Sequence, residues 1–172
     1  MSRQPSEPAT TRERFTAELR RYNVGVTEVS RSGATAAIEA AVEPPAVGTA
    51  LPWEGVELPA VVETEPTTAD LDGAATGVTA AELGVADYGS VLLRTDEQGS
   101  EAVSLFNDRH VAVLRAADIV PDMTALFEHA GERAREDSSS AVLATGPSAT
   151  ADMGSLVQGA HGPKEVELIL IT

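Results

Sequence analysis

Hydroxyls, a carboxylate and an imidazole gather in the stretch from Ala144 to Pro163, ATGPSATADMGSLVQGAHGP. Gly146-Pro147-Ser148 and Thr150-Ala151-Asp152 follow directly on the apolar run Ala141 to Ala144. The turn Gly159-Ala160-His161-Gly162-Pro163 comes next, and then the very apolar Val166 to Ile171. The order reads strand, polar loop, short helix, turn, strand. Loops that leave a buried strand are where α/β proteins usually carry their sites. If the short helix starts at Ala151, its first N–H groups, the turn at Gly146 and the hydroxyls of Ser148 and Thr150 can together hold a carboxylate or phosphate. Asp152 would oppose an anion there. It is suited instead to orienting a donor or taking a proton from a substrate hydroxyl. His161, between glycines, can serve as acid, base or hydrogen-bond donor near neutral pH.

Plainer readings stand beside these. Thr150 as N-cap and Asp152 in the first turn would stabilise the helix start, the cap by about 1 kcal/mol. His161 could lock its turn by bonding a carbonyl. Asp87 interrupts an apolar stretch just before Gly89, so it is either buried against a partner or lining a pocket. His110 opens a buried strand and satisfies a backbone group; His129 falls on a helix without an assigned role. No His-x-x-x-His pair is present and the carboxylates read as a solvated face, so no metal site is expected. Ser148 lacks the Gly-x-Ser-x-Gly setting of a nucleophile elbow, and no Gly-x-Gly-x-x-Gly loop occurs.

Periodicity and glycine–proline punctuation set the elements around these groups. Residues 1–9 read as a disordered tail and 10–172 as a single domain. Thr10 or Thr11 caps a helix to about Tyr22, with Phe15, Ala17, Leu19 and Tyr22 on its buried face. Val24–Val29 reads as a strand and Ala34–Val42 as a helix stopped by Pro44-Pro45. Val47–Leu51 and Leu58–Val62 read as short strands, with Trp53 covering a core edge between them. Thr64–Thr76 reads as loop, and Thr79 as the cap of a short helix, Ala80–Leu83. Val85–Ala86 and Ser90–Arg94 read as strands broken at Gly89. Thr95–Ser100 is expected to turn into a returning strand, Ala102–Phe106. His110–Leu114 is a buried strand and Ile119–Arg135 a helix with Pro121 in its first turn. Ala141–Ala144 and Val166–Ile171 complete the sheet. Strands alternating with helices, ending in continuous apolar runs, predict an α/β sandwich with a mostly parallel, partly mixed sheet.

Composition narrows the chemistry. The 172 residues suit one domain with a core of its own. There is no cysteine, which removes disulfides, thiolate catalysis and any cysteine-ligated zinc or iron–sulfur cluster in this chain. No apolar stretch approaches the roughly 20 residues of a membrane helix, and the polar N-terminus lacks a signal-peptide core, so a cytoplasmic location is expected. The net charge is −15, from 27 acids against 12 bases, with Lys164 the one lysine. Such self-repulsion is largely screened in concentrated salt, and the composition resembles that of proteins from salt-loaded cytoplasms; an ordinary acidic protein is the alternative. With no basic patch in the sequence, nucleic acid is a poor partner.

GPSATADMG followed by GAHGPKEVELILI resembles the C-terminal motif of the LUD-domain family, of the lactate utilization protein C type. Gly77-Val78-Thr79, Val85 to Leu93 and Asp108 to Val113 match the family's middle motifs in order, so the resemblance covers residues 77–172. The chain departs from the pattern at Asp87-Tyr88-Gly89-Ser90, Ala149 and Gly154. The resemblance implies a three-layer α/β/α fold with a mostly parallel, mixed sheet, similar to the NagB/RpiA/CoA-transferase group. It implies a component of lactate utilization that assists oxidation of L-lactate to pyruvate beside iron–sulfur partner proteins, the clusters being held by the partners and no cofactor by this chain. The pocket would be formed by Asp87, Ser90, Gly146, Ser148, Thr150, Asp152 and His161, around a small carboxylate. Two rival readings remain: a structural or assembly subunit without its own site, and a stand-alone CoA-transferase- or isomerase-like enzyme acting on a small anionic substrate.

Overall fold

A computed structural model describes residues 9–136, 140–152 and 155–172. The expected N-terminal tail lies outside the described residues except for its last member. In chain order the first half runs α1 (Thr11–Arg21), β1 (Gly25–Val29), α2 (Ala34–Ala41), β2 (Ala46–Gly48), β3 (Val62–Glu63), α3 (Thr68–Gly73), β4 (Thr76–Ala80), β5 (Leu83–Val85) and β6 (Ser90–Arg94). The second half runs α4 (Ser100–Leu105), β7 (Arg109–Arg115), β8 (Ile119–Val120), α5 (Met123–Glu136), β9 (Ala141–Thr145), β10 (Ala149–Asp152), β11 (Ser155–Gln158) and β12 (Glu165–Ile171).

Among the described residues, six strands form one sheet in the order β1-β12-β7-β4-β2-β3, and every neighbouring pair is parallel. Its central strands are apolar on both sides because both faces are covered. Val111 and Val113 of β7 join Ile169 and Ile171 of β12 in a cluster with Ala34 and Ile38 of α2. The alternate residues Ala112, Leu114, Leu168 and Leu170 face the other way, against Phe15 and Leu19 of α1 and Val91 and Leu93 of β6. The period-2 alternation of a strand thus builds two cores from one run of sequence. α4 packs closely on β4 at Gly77, where a Cβ would lie 1.9 Å from the Val103 carbonyl oxygen. The predicted α/β fold, with a large parallel sheet flanked by helices, is the one observed.

A second sheet, β8-β5-β6-β9, lies over the α1 side. Its β5–β6 and β6–β9 pairs are antiparallel and its β5–β8 pair is parallel. This supplies the mixed part of the fold and corrects one expectation: Ala141–Ala144 completes this small sheet, not the large one. Among the described residues no helix is long and apolar enough to cross a membrane.

Several local readings are corrected. Thr79 does not cap a helix; it is buried inside β4, and the chain continues into β5 where helix had been expected. Ala102–Phe106 is not a returning strand. Asp96 accepts N–H bonds from Gln98 and Ser100, and these start α4 instead. The segment 64–76, read as loop, contains α3, because Thr67 and Asp70 close a capping box. The helix expected from Ile119 begins at Met123. Ile119 and Val120 pair with β5 first, and Asp122 then accepts the Ala125 N–H at the helix start. Leu58–Val62 reduces to Val62–Glu63, and Tyr22 and Ala17 face solvent rather than the core. The short helix expected after Thr150 is instead the antiparallel hairpin β10–β11, with Thr150 opposite Val157 and Asp152 opposite Ser155. Thr150 is therefore a strand residue and caps nothing.

Candidate functional site

The loop after β9 and the turn before β12 are held together by backbone. The Ser148 N–H donates to the Pro163 carbonyl at 2.8 Å, and the Gly159 N–H donates to the Ser148 carbonyl at 2.9 Å. Two glycines make this possible. Gly146 (φ +65°) and Gly159 (φ +73°) sit in the left-handed region. A Cβ at Gly146 would also lie 2.8 Å from the Cβ of Tyr22. The result is a rim of residues 146–149 and 161–163 over one face of the large sheet, near the amino ends of β7 and β12.

Beneath this rim lies a cavity of about 320 Å³. Its floor is His110 and Ala112 of β7 with Val166 and Leu168 of β12, and β6, β9, α1 and α4 enclose it. Among the described residues, its lining holds no Asp, Glu, Lys or Arg. Its polar groups are hydroxyls and two imidazoles. His110 is 2 % exposed and its Nε2 lies 2.8 Å from the Thr79 hydroxyl. Burial lowers its pKa to about 4, since a charged imidazole would lose its hydration there. It is therefore a neutral ring at neutral pH. The Ser104 hydroxyl donates to the Glu101 carbonyl, and the Thr145 hydroxyl is 2.6 Å from that of Ser90. Among the described residues, the Ser148 hydroxyl and the His161 ring have no hydrogen-bond partner. His161 stands exposed at the mouth, with Ser148 beside it against Gly162. A donor-acceptor pair at the mouth and a neutral imidazole on the floor can orient a small polar molecule against apolar walls.

Of the residues singled out from sequence, Gly146, Ser148 and His161 meet in this lining. Ser90 stands one step behind it: buried, it holds Thr145 in place across the β6–β9 pair. Thr150 is on the hairpin leaving the rim and does not line the cavity. Asp152 shares that hairpin by its backbone, and its carboxylate lies outside the described residues. Asp87 is elsewhere. It is exposed on the β5–β6 turn, where its carboxylate pairs with Arg14 of α1. Among the described residues, no cluster of His, Asp and Glu is placed to hold a metal ion.

The family described as LUD domain matches residues 57–171, two thirds of the chain. The chain belongs to the LUD-domain family. Its relatives include lactate utilization protein C of Deinococcus radiodurans, 30% identical over 127 residues that are 72% of this chain and 59% of that one. Lactate utilization protein C of Bacillus subtilis is 32% identical over 104 residues, 56% of this chain and 42% of the relative. The uncharacterized protein YkgG of Escherichia coli K12 is 32% identical over 99 residues, 55% and 43% of the two chains. The chain thus spans about half the length of the curated relatives it matches. A crystal structure of a DUF162 family protein from Deinococcus radiodurans shares the fold, with TM-score 0.73 and 22% identity over 96% of this chain and 100% of that one.

The segments that carry the LUD resemblance converge on this cavity. Thr79 comes from the first, Gly89 and Ser90 from the second, His110 from the third, and Gly146, Ser148, His161 and Gly162 from the last. Sequence reasoning missed Thr79 as the partner of His110, and Ser104 and Thr145 as lining. The signal for His110 was present: a histidine set where the alternation of β7 faces the core. Nothing local marked the others, which reach the LUD cavity only through strand order and the packing of α4.

Proposed function

We propose that this LUD domain acts in lactate utilization, holding a small carboxylate such as L-lactate or pyruvate in the Ser148–His161 cavity. The observation that carries this is that, among the described residues, the Ser148 hydroxyl and His161 ring are unpartnered at the mouth of a cavity whose floor is the neutral His110. The names of its relatives agree with the pathway. Ser148 and His161 donate to the carboxylate, and the apolar walls take the methyl group. Oxidation of L-lactate to pyruvate releases two electrons and two protons. In this reading the electrons leave for iron–sulfur partner proteins, since this chain has no cysteine to ligate a cluster.

One observation favours an assembly role as a second reading. Leu156 and Val157 on the β10–β11 hairpin are 71% and 40% exposed, and Leu143 on the edge strand β9 is 39% exposed. Apolar groups on an edge that is unpaired among the described residues suit a partner surface.

The test is growth on L-lactate as sole carbon source after deletion of the gene, with rescue by wild type or by Ser148→Ala/His161→Ala shown to be folded. Rescue by wild type alone, with loss of L-lactate binding by the purified variant in calorimetry, is expected. Rescue by both moves the role from the cavity to assembly, and undiminished growth of the deletion strain overturns the lactate role.

A further inference from the structure

A second cavity, of about 510 Å³, opens at the opposite end of the large sheet. Its base is formed where β2, β4 and β7 end: Thr49 and Ala50, Ala80 to Glu82, and Arg115. These strands are adjacent and parallel. The carboxyl ends of such strands are where open α/β sheets take their ligands. The facing wall comes from Trp53, the α4 start and α5.

In a strongly acidic chain the lining is charge-balanced, three arginines meeting Glu82, Asp96 and Asp118. A chain of net −15 with 12 lysines and arginines places Arg94, Arg115 and Arg133 in this one lining, with His129 beside them. The acids present are already engaged. Asp118 accepts a two-pronged bond from Arg115, whose guanidinium lies 5.8 Å over the Trp53 ring. Asp96 accepts from the Gln98 and Ser100 N–H groups and the Ser100 hydroxyl. Glu82 alone is met by three groups: Arg94 through Nε at 2.7 Å and Nη2 at 3.0 Å, His129 Nε2 at 2.8 Å and Arg133 Nε at 3.3 Å. Burial works against charge on Glu82, but the bonds from Arg94 and His129 and the nearby guanidiniums prevail and bring its pKa to about 2. Arg94, His129 and Arg133 thus converge on one carboxylate. Among the described residues, the terminal nitrogens of Arg133 have no hydrogen-bond partner, and its side chain is 51% exposed.

We propose that this cavity is a second ligand site, independent of the Ser148–His161 cavity, which binds an organic phosphate at Arg133 and His129 beside Glu82. The guanidinium fork of Arg133, whose terminal nitrogens Glu82 does not take, matches phosphate oxygens. The body of the ligand lies toward Trp53, with the amide nitrogen of Gln98, whose oxygen accepts the Ala50 N–H, facing its hydroxyls. The volume exceeds what a three-carbon acid fills and falls in the range of metabolite-sized sites, roughly 300–1,000 Å³.

Trp53 is the one tryptophan in the chain and lines this cavity but not the first, so its fluorescence reports on this site. The full chain is titrated at low ionic strength with glycerol phosphate, sulfate and L-lactate, following Trp53 emission and, in parallel, calorimetric heat. Saturable binding of glycerol phosphate, tighter than sulfate, is expected. Arg133→Ala and, separately, His129→Gln should weaken it about tenfold or more, while Ser148→Ala leaves it unchanged. Lactate should not alter the emission. Absence of saturable heat and emission change up to millimolar glycerol phosphate overturns the proposal. So does equal affinity for sulfate, or unchanged binding by folded Arg133→Ala or His129→Gln, which would make the cluster a clasp between α5 and the link from β4 to β5.

Discussion

Held neutral by burial, His110 couples the floor of the Ser148–His161 cavity to pH. Its pKa in the fold, about 4, is below the ordinary 6.5, so between those values the unfolded chain binds a proton that the folded chain refuses. Stability is therefore intact above pH 6.5 and is lost as pH falls toward 4. Between pH 7 and pH 5 the His110 share of that loss is about 2 kcal/mol. Urea unfolding at the two pH values should show a drop of this order in wild type that His110→Gln removes, and an equal drop in the variant would refute the assignment. The Glu82 carboxylate adds its own loss only lower, as pH falls from about 4.5 toward 2. At this scale the sequence was half legible. The composition of the 144–163 stretch pointed to Ser148 and His161, and the structure puts both at one mouth. Asp87 read equally well as buried or pocket-lining, because its partner Arg14 lies on α1, far away in the chain.

Elements were legible where local signals agreed with tertiary packing. α1 is the clearest case. The Thr10 hydroxyl accepts the Glu13 N–H at 3.2 Å, and the Glu13 carboxylate accepts the Thr10 N–H at 2.7 Å, closing a capping box before Phe15 and Leu19 enter the core. Thr10→Ala should cost about 1 kcal/mol in thermal or urea unfolding, and a cost near zero would show that core packing alone fixes the helix start. Where strands and helices compete for the same residues, sequence misled. The β-branched and apolar residues of AVSLF suggested a strand, yet the segment is helical because Asp96 anchors its start and Gly77 leaves space for it against β4. The hairpin β10–β11 reads locally as helix, with Thr150, Ala151 and Asp152 in good capping order. Its strand state is set by the pairing of Thr150 with Val157.

For the whole molecule, the continuous apolar runs of β7 and β12 announced a buried parallel sheet, but strand order did not follow from them, because order depends on which crossovers pack. Two sheets were read as one, since a strand's sequence does not say which neighbour it takes. The charge of −15 acts at this scale too. Raising sodium chloride from low millimolar to about 1 M, where the Debye length is about 3 Å, should raise the melting temperature as self-repulsion is screened. A flat or falling melting temperature would mean that ion pairs such as Arg14–Asp87 outweigh the excess of acids. The sheet order also fixes a sequence of assembly. β1 has β12 as its neighbour, Val26 opposite Leu168, although one strand opens the sheet in chain order and the other closes it. A loop spanning nearly the whole described chain must close before β1 has a partner. Of the described strands of this sheet, the first to be synthesised is thus among the last to pair, and a chain halted before Glu165 leaves one edge of β7, Arg109–Arg115, bare to any other strand that meets it.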